Sequence, residues 1–198
     1  MVLVIICCLF VFLGMFIGKK FDLKIISINM IFGLFLMNCL FNVLPCAFSI
    51  LYQNYHGSTF IYVLLGSFLG YLLMRLSSYK YEDSDNISII GFTLFNSYLL
   101  FISKFNLLFL IVNVLYYIFI GIYIKNSKSW ISVIIGSILG LVIGLINSWM
   151  IGYIFTIVVG FLIYFIISVY NLVFRSNNKY CYIGLIIGLI IAFLGCVL

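Results

Sequence analysis

Apolar runs long enough to cross a bilayer follow one another along the whole chain, with only short polar breaks between them. A helix rises about 1.5 Å per residue, so a bilayer core of roughly 30 Å takes about 20 residues. Divided at the polar breaks, the runs extend from Val2 to Gly18, Ile25 to Leu51, Phe60 to Leu76, Ile87 to Ser103, Leu107 to Ile124, Ile131 to Asn147, Met150 to Phe174, and Cys181 to Leu198. That is an all-α integral membrane bundle of eight transmembrane helices. The break between the sixth and seventh runs is the thinnest, Asn147-Ser148-Trp149 alone, and Trp130 and Trp149 suit interfacial anchoring.

Only 7% of the 198 residues are charged, against about 25% in a typical soluble domain, too few to cover a water-facing surface. Eight spans use up the length, so residues 1–198 form one transmembrane domain with no soluble appendage. The first run has no basic stretch before it and no small-residue cleavage site; Lys19 and Lys20 follow it. The expectation is a retained span, not a cleaved signal peptide.

The basic residues alternate. Nine of the ten fall around the breaks after runs one, three, five and seven: Lys19, Lys20, Lys24; Arg75, Lys80; Lys125, Lys128; and Arg175, Lys179. Lys104 alone falls after an even run, and neither terminus carries one. Basic loops stay in the cytoplasm, so both termini are expected outside, in a multi-pass protein of the cell membrane. The four carboxylates Asp22, Glu82, Asp83 and Asp85 share the inward breaks, as a hydrophilic turn or as a weak cation-attracting mouth. The +6 net charge forms no basic-aromatic patch, and no nucleic-acid partner is expected. Residue usage rich in Ile, Phe, Asn, Tyr and Lys, with Ala47 and Ala192 the only alanines, is what AT-rich coding yields and suggests a bacterial source.

Glycines recur at one-turn spacing as Gly14/Gly18, Gly66/Gly70, Gly136/Gly140/Gly144 and Gly184/Gly188. Such stripes let helix backbones approach closely in lipid, within one bundle or between two copies of a homodimer. Cys7, Cys8, Cys39, Cys46, Cys181 and Cys196 form no CxxC pair and read as small packing residues, not a disulfide or zinc cage.

No Asp, Glu, His or Arg stands well inside a run, so coupled transport lacks its usual ionisable groups. No enzyme constellation of nucleophile and base, and no cofactor site, can be assembled from one loop histidine. What lies at membrane depth is amide and hydroxyl: Asn29, Asn38, Asn42, Asn96, Ser97, Asn113, Thr156 and Ser168. These either make interhelical hydrogen bonds or converge on a polar path through Asn42, Asn96, Ser97, Asn113 and Tyr116. His56, in a short outward loop, is a loop residue or an entry contact for a metal. A continuous cavity lined by Asn42, Asn96, Ser97 and Asn113 would favour passage. An interior filled by Phe95, Tyr116 and Phe119 would argue against it.

The second run reads Asn42-Val43-Leu44-Pro45-Cys46-Ala47 and holds the only proline. It resembles the second helix of Zrt/Irt-like (ZIP) metal transporters, which carries His-Leu-Leu-Pro-Glu-Ala. Leu44, Pro45 and Ala47 match; Asn42 and Cys46 stand at the His and Glu positions. Leu65-Gly66 with Arg75 resembles the family's third helix. The fourth run, Leu94-Phe95-Asn96-Ser97-Tyr98-Leu99, resembles the metal-binding His-Asn-x-x-Asp-Gly stretch with only Asn96 kept. Tyr116 to Gly121 resembles His-x-x-Pro-Glu-Gly with only Gly121 kept. Gly160 to Tyr164 and Gly184 to Leu189 resemble the seventh and eighth helices. The resemblance implies eight spans, both ends outside, and a divalent metal ion of the zinc, manganese or iron class as cargo. The positions for metal ligands carry Phe, Tyr and Leu, so no metal-ligating residue is assigned. Two functions follow: divalent metal permeation by a divergent member, or a non-transporting scaffold or accessory subunit on a transporter-derived fold.

Overall fold

A computed structural model describes residues 2–21, 24–80, 84–103, 106–124, 129–146, 150–175 and 179–197. Asp22, Glu82, Asp83, Lys104, Lys125, Lys128, the Asn147-Ser148-Trp149 break and the C-terminal Leu198 lie outside these residues. So do the side chains of Lys24, Lys80, Arg175, Lys179, Cys181 and Cys196.

Nearly all the described residues are helical: α1 (Val2–Phe21), α2 (Lys24–Asn38), a π-helical segment (Cys39–Val43), α3 (Leu44–Tyr55), a 3-10 turn (His56–Ser58), α4 (Thr59–Lys80), α5 (Ser84–Ile102), α6 (Leu107–Ile124), α7 (Trp130–Leu145), α8 (Met150–Arg175) and α9 (Lys179–Val197). Five stretches are long and apolar enough to cross a membrane: Val2–Phe21, Ile26–Ser77, Asp85–Ile102, Leu107–Ile124 and Met150–Tyr170. The second of them is 52 residues long and turns back at His56, whose φ is +39°. Trp130–Leu145 and Tyr182–Gly195 are shorter apolar helices. Phe60, Ile61, Leu64, Leu65 and Phe68 leave one flank of α4 exposed and wholly apolar, a surface that water would not tolerate but acyl chains would. The architecture is compatible with a multi-pass membrane protein.

α2, the π segment and α3 make one rod. Pro45 explains the break in register: it has no N–H to return to the preceding turn. The Leu44 N–H instead reaches five residues back, to the Cys39 carbonyl, the π pattern that absorbs an irregularity without ending a helix.

Four helix pairs dominate the packing: α1 with α6, α2 with α9, α4 with α8, and α5 with α7. Glycine brings each pair together. A Cβ on Gly14 would overlap the Ile118 carbonyl oxygen, on Gly188 that of Met30, on Gly70 that of Ile157, and on Gly140 that of Leu94. Successive glycines meet successive residues (Gly14 and Gly18 meet Ile118 and Ile122), so each of these pairs runs parallel. The Gly136/Gly140/Gly144 stripe is thus used inside the bundle, against α5.

The remaining contacts run antiparallel. The α2–α3 rod lies against α8 through Phe32–Phe174, Phe35–Phe165 and Leu51–Gly152. α5 lies against α8 through Ser88–Phe161 and Phe95–Phe155, and against α6 through Asp85–Tyr123 and Phe92–Tyr116. Consecutive rods therefore alternate in direction. The set of contacts also maps onto itself under one exchange: α1 with α7, the α2–α3 rod with α8, α4 with α9, and α5 with α6. Under it the α1·α6 pair becomes α7·α5, α2·α9 becomes α8·α4, and the contact of α5 with α8 becomes that of α6 with α2. Every exchanged helix points the opposite way. The hairpin contact of α3 with α4 and the light contact of α1 with α5 have no comparable counterpart.

Candidate functional site

At the middle of this arrangement Phe35 of α2 stacks on Phe92 of α5, with ring centroids 4.7 Å apart. Tyr116 of α6 meets Phe92 edge-on at 5.8 Å, and Phe165 of α8 meets Phe35 at 5.0 Å. These four rings, all fully buried, close the centre on the side that leads to Asp85.

One turn beyond the rings stand three carboxamides. Going forward from Phe92 along α5 reaches Asn96, and going back from Tyr116 along the antiparallel α6 reaches Asn113. Going forward from Phe35 along α2, which runs parallel to α5, reaches Asn38. A step of three or four residues keeps each on nearly the same helix face as its ring neighbour. The three amides therefore share one level along the bundle. All three are buried.

Their hydrogen bonds are incomplete. Asn96 Nδ2 donates to the Phe92 carbonyl at 2.8 Å and Asn113 Nδ2 to the Phe109 carbonyl at 2.9 Å, each within its own helix. Asn113 Oδ1 has no protein partner, and neither Oδ1 nor Nδ2 of Asn38 has one. A buried polar group left unpartnered costs on the order of 1–3 kcal/mol, and the Asn38 result does not depend on how its amide is flipped, since both atoms lack a partner.

The predicted path is only partly assembled. Asn42 lies half-buried on the π segment, a further turn from Asn38. Ser97 turns away from Asn96: its hydroxyl pairs with the Tyr117 hydroxyl at 2.8 Å, which pairs with Ser137 at 3.1 Å, where the Cys8 thiol donates to Ser137 at 3.4 Å. That chain of neutral hydroxyls ties α5, α6, α7 and α1 together. Tyr116 sends its hydroxyl to the Ile191 and Ala192 carbonyls of α9, 3.4 and 3.3 Å away. Asn42, Asn96, Ser97 and Asn113 thus do not line one continuous cavity, and Phe95, Tyr116 and Phe119 are buried. His56 sits exposed at the 3-10 turn with its ring edge-on to Tyr52 at 5.4 Å. Among the described residues no three His, Cys, Asp or Glu side chains group as a metal site.

Asn38 and Asp85, named in the sequence among the amides at depth and the inward carboxylates, were not placed on the polar path. Asn38 is the carboxamide with both atoms unmet, and Tyr123 donates its hydroxyl to the Asp85 carboxylate at the start of α5. Asp85 occupies the same α5 face as Phe92 and Asn96, two turns before Phe92. A face carrying Asp85, Phe92 and Asn96 at steps of seven and four was the available signal. A groove of about 290 Å³ between α4 and α8, lined by Tyr62, Gly66, Leu69, Tyr153 and Thr156, opens on the outer flank of the bundle, away from the carboxamides.

Compared with protein-family models, with curated proteins and with solved structures, the chain matches none.

Proposed function

We propose that the chain is a ZIP-like membrane permease of eight spans with both termini outside. The observation that carries this reading is the exchange of α1, the α2–α3 rod and α4 with α7, α8 and α9 in opposite orientation, with α5 and α6 trading places. Inverted repeats of this kind characterise secondary transporters, whose sites lie midway along the bundle where the repeats meet. The π segment adds irregular backbone beside that level, where such structure is tolerated only against protein or a cavity. The ring cluster of Phe35, Phe92, Tyr116 and Phe165 stands between the carboxamide level and the end of the bundle that carries Asp85.

Divalent metal ions are the cargo that the resemblance implies. Carboxamides are uncharged donors, whereas zinc seeks imidazole, thiolate or carboxylate. Zinc is therefore expected to enter proteoliposomes no faster than empty liposomes. The non-transporting scaffold remains as the second reading, favoured by the burial of Phe95, Tyr116 and Phe119 in the interior. A flux panel of glycerol, urea, potassium, manganese and zinc in proteoliposomes decides between them. Passage of any one above the empty-liposome rate supports the permease; passage of none leaves the scaffold.

A further inference from the structure

We infer that the groove between α4 and α8 holds one acyl chain of a bilayer lipid, from the leaflet on the His56 side. The inference goes beyond permeation and rests only on the bundle lying in a membrane. The groove, about 290 Å³ in volume, runs from Tyr62 past Leu65 and Gly66 to Leu69 on α4, and from Tyr153 to Ile157 on α8. Seven residues of helix cover about 10 Å, so the mean cross-section is roughly 28 Å². A helix about 10 Å across covers roughly 80 Å². The groove therefore takes a chain one carbon wide, and not a helix of a second copy.

Its chemistry selects the same occupant. Leu65, Leu69 and Ile157 line it with hydrocarbon. The Thr156 hydroxyl donates to the Tyr153 carbonyl at 2.7 Å and needs no partner from an occupant. Gly66 carries no side chain and Thr156 seats against it, which leaves the groove its depth. A polar solute would lose its hydration there without replacement, whereas a hydrocarbon chain gains dispersion contacts along its length. The groove opens on the flank of α4 where Phe60, Ile61, Leu64 and Phe68 are exposed. It is thus continuous with the surface that acyl chains cover. At the end toward His56, the rings of Tyr55, Tyr62 and Tyr153 pack on one another, with centroids 4.6 to 6.0 Å apart. Tyrosine suits the headgroup level of a bilayer, and this sets the direction of the chain. Its ester end lies at the tyrosines, and the hydrocarbon descends past Leu65 to Leu69.

Photolabelling in phosphatidylglycerol vesicles tests the assignment, with a trace of phospholipid carrying a diazirine midway along one acyl chain. After irradiation, peptide mass spectrometry of the natural chain is expected to find adducts at Leu65, Leu69 and Ile157 at several-fold the yield at Leu64 and Phe68. Those two are exposed at the same depth but lie outside the groove. Leu69→Trp sets an indole in the groove and is expected to bring Leu65 and Ile157 down to the yield at Phe68. Ile61→Trp, on the flank outside the groove, is expected to leave the pattern unchanged, and melting curves in detergent establish that both variants are folded. Equal yields at groove and flank positions in the natural chain would overturn the inference, as general lipid contact only. So would adducts in the groove that Leu69→Trp does not reduce. A disulfide-linked dimer formed by Leu65→Cys with the groove unlabelled would give the groove to a second copy instead. Absence of adducts at every flank position would remove the membrane placement and the inference with it, whereas solute flux bears on the permease alone.

Discussion

Individual polar side chains in this bundle divide into satisfied and unsatisfied groups. Tyr117 is the satisfied kind: its hydroxyl bridges Ser97 and Ser137 across three helices. Tyr117→Phe leaves the ring in place and strands both serines, with an expected loss of about 1 kcal/mol in thermal unfolding in detergent, within the range for such bonds in helical membrane proteins. Ser97→Ala breaks one of the two links and should cost less. If Tyr117→Phe melts with the natural chain, the hydroxyl chain contributes nothing to stability. Residue type at each of these positions was legible in the sequence, and so was the list of amides at depth. What was not legible is which way each points. Asn96 and Ser97 are adjacent in sequence yet sit about 100° apart around α5, so Ser97 reaches Tyr117 of α6 beside Gly140 of α7 while the Asn96 amide bonds within α5. Only the packing of α5 against two partners made that difference matter.

Glycine decides how closely the helices approach. At Gly140 a new Cβ would overlap the Leu94 carbonyl oxygen and meet the Ser97 Cβ at 2.9 Å, and a backbone carbonyl cannot swing aside as a flexible side chain can. Gly140→Ala is expected to destabilise by roughly 1–3 kcal/mol, the usual range for overpacking, seen as an earlier loss of helical signal on heating. Gly57 has nothing within 4 Å of its Cβ position, so Gly57→Ala should melt like the natural chain. Equal effects at the two positions would show that the close α5–α7 approach is not what Gly140 provides. The one-turn glycine spacing announced close packing from the sequence alone, but not its partners. Each of the four stripes turns out to serve a different parallel pair, joining helices that are two, four or six rods apart in the chain. Such pairings depend on how all the rods nest together, which no local spacing encodes.

Across the whole molecule, alternation of direction and alternation of charge agree. Lys19, Lys20 and Arg75 all stand toward the ends of α1 and α4, at the end of the bundle where α5 begins with Asp85. If that end is cytoplasmic, cysteine placed at His56 should react with a membrane-impermeant maleimide in intact cells, and cysteine placed at Lys20 only after the membrane is opened. A reporter fused after Leu198 should be active outside the cytoplasm. Cytoplasmic activity of that reporter, or labelling of position 20 in intact cells, would contradict the eight-span arrangement. The prediction belongs at this scale because inserting or removing one crossing reverses every later loop.

The sequence by itself determined where the helices lie and how many polar groups they carry into the apolar interior. Hydrophobic run length and charge placement are local quantities, and the bilayer dimensions convert them directly into helices of a given length. The π segment at Cys39–Val43 shows only in the structure, although Pro45, which accounts for it, stands in the sequence. The tertiary structure alone decided the inverted pairing of the rods, the ring stack that closes the centre, and the burial of Asn38 and Asn113 with polar atoms left unmet. Each of these rests on contacts between residues far apart in the chain. Their geometry follows from the rotation and depth of whole helices against several neighbours at once, and a rotation of one residue step would carry any of the three amides to another face.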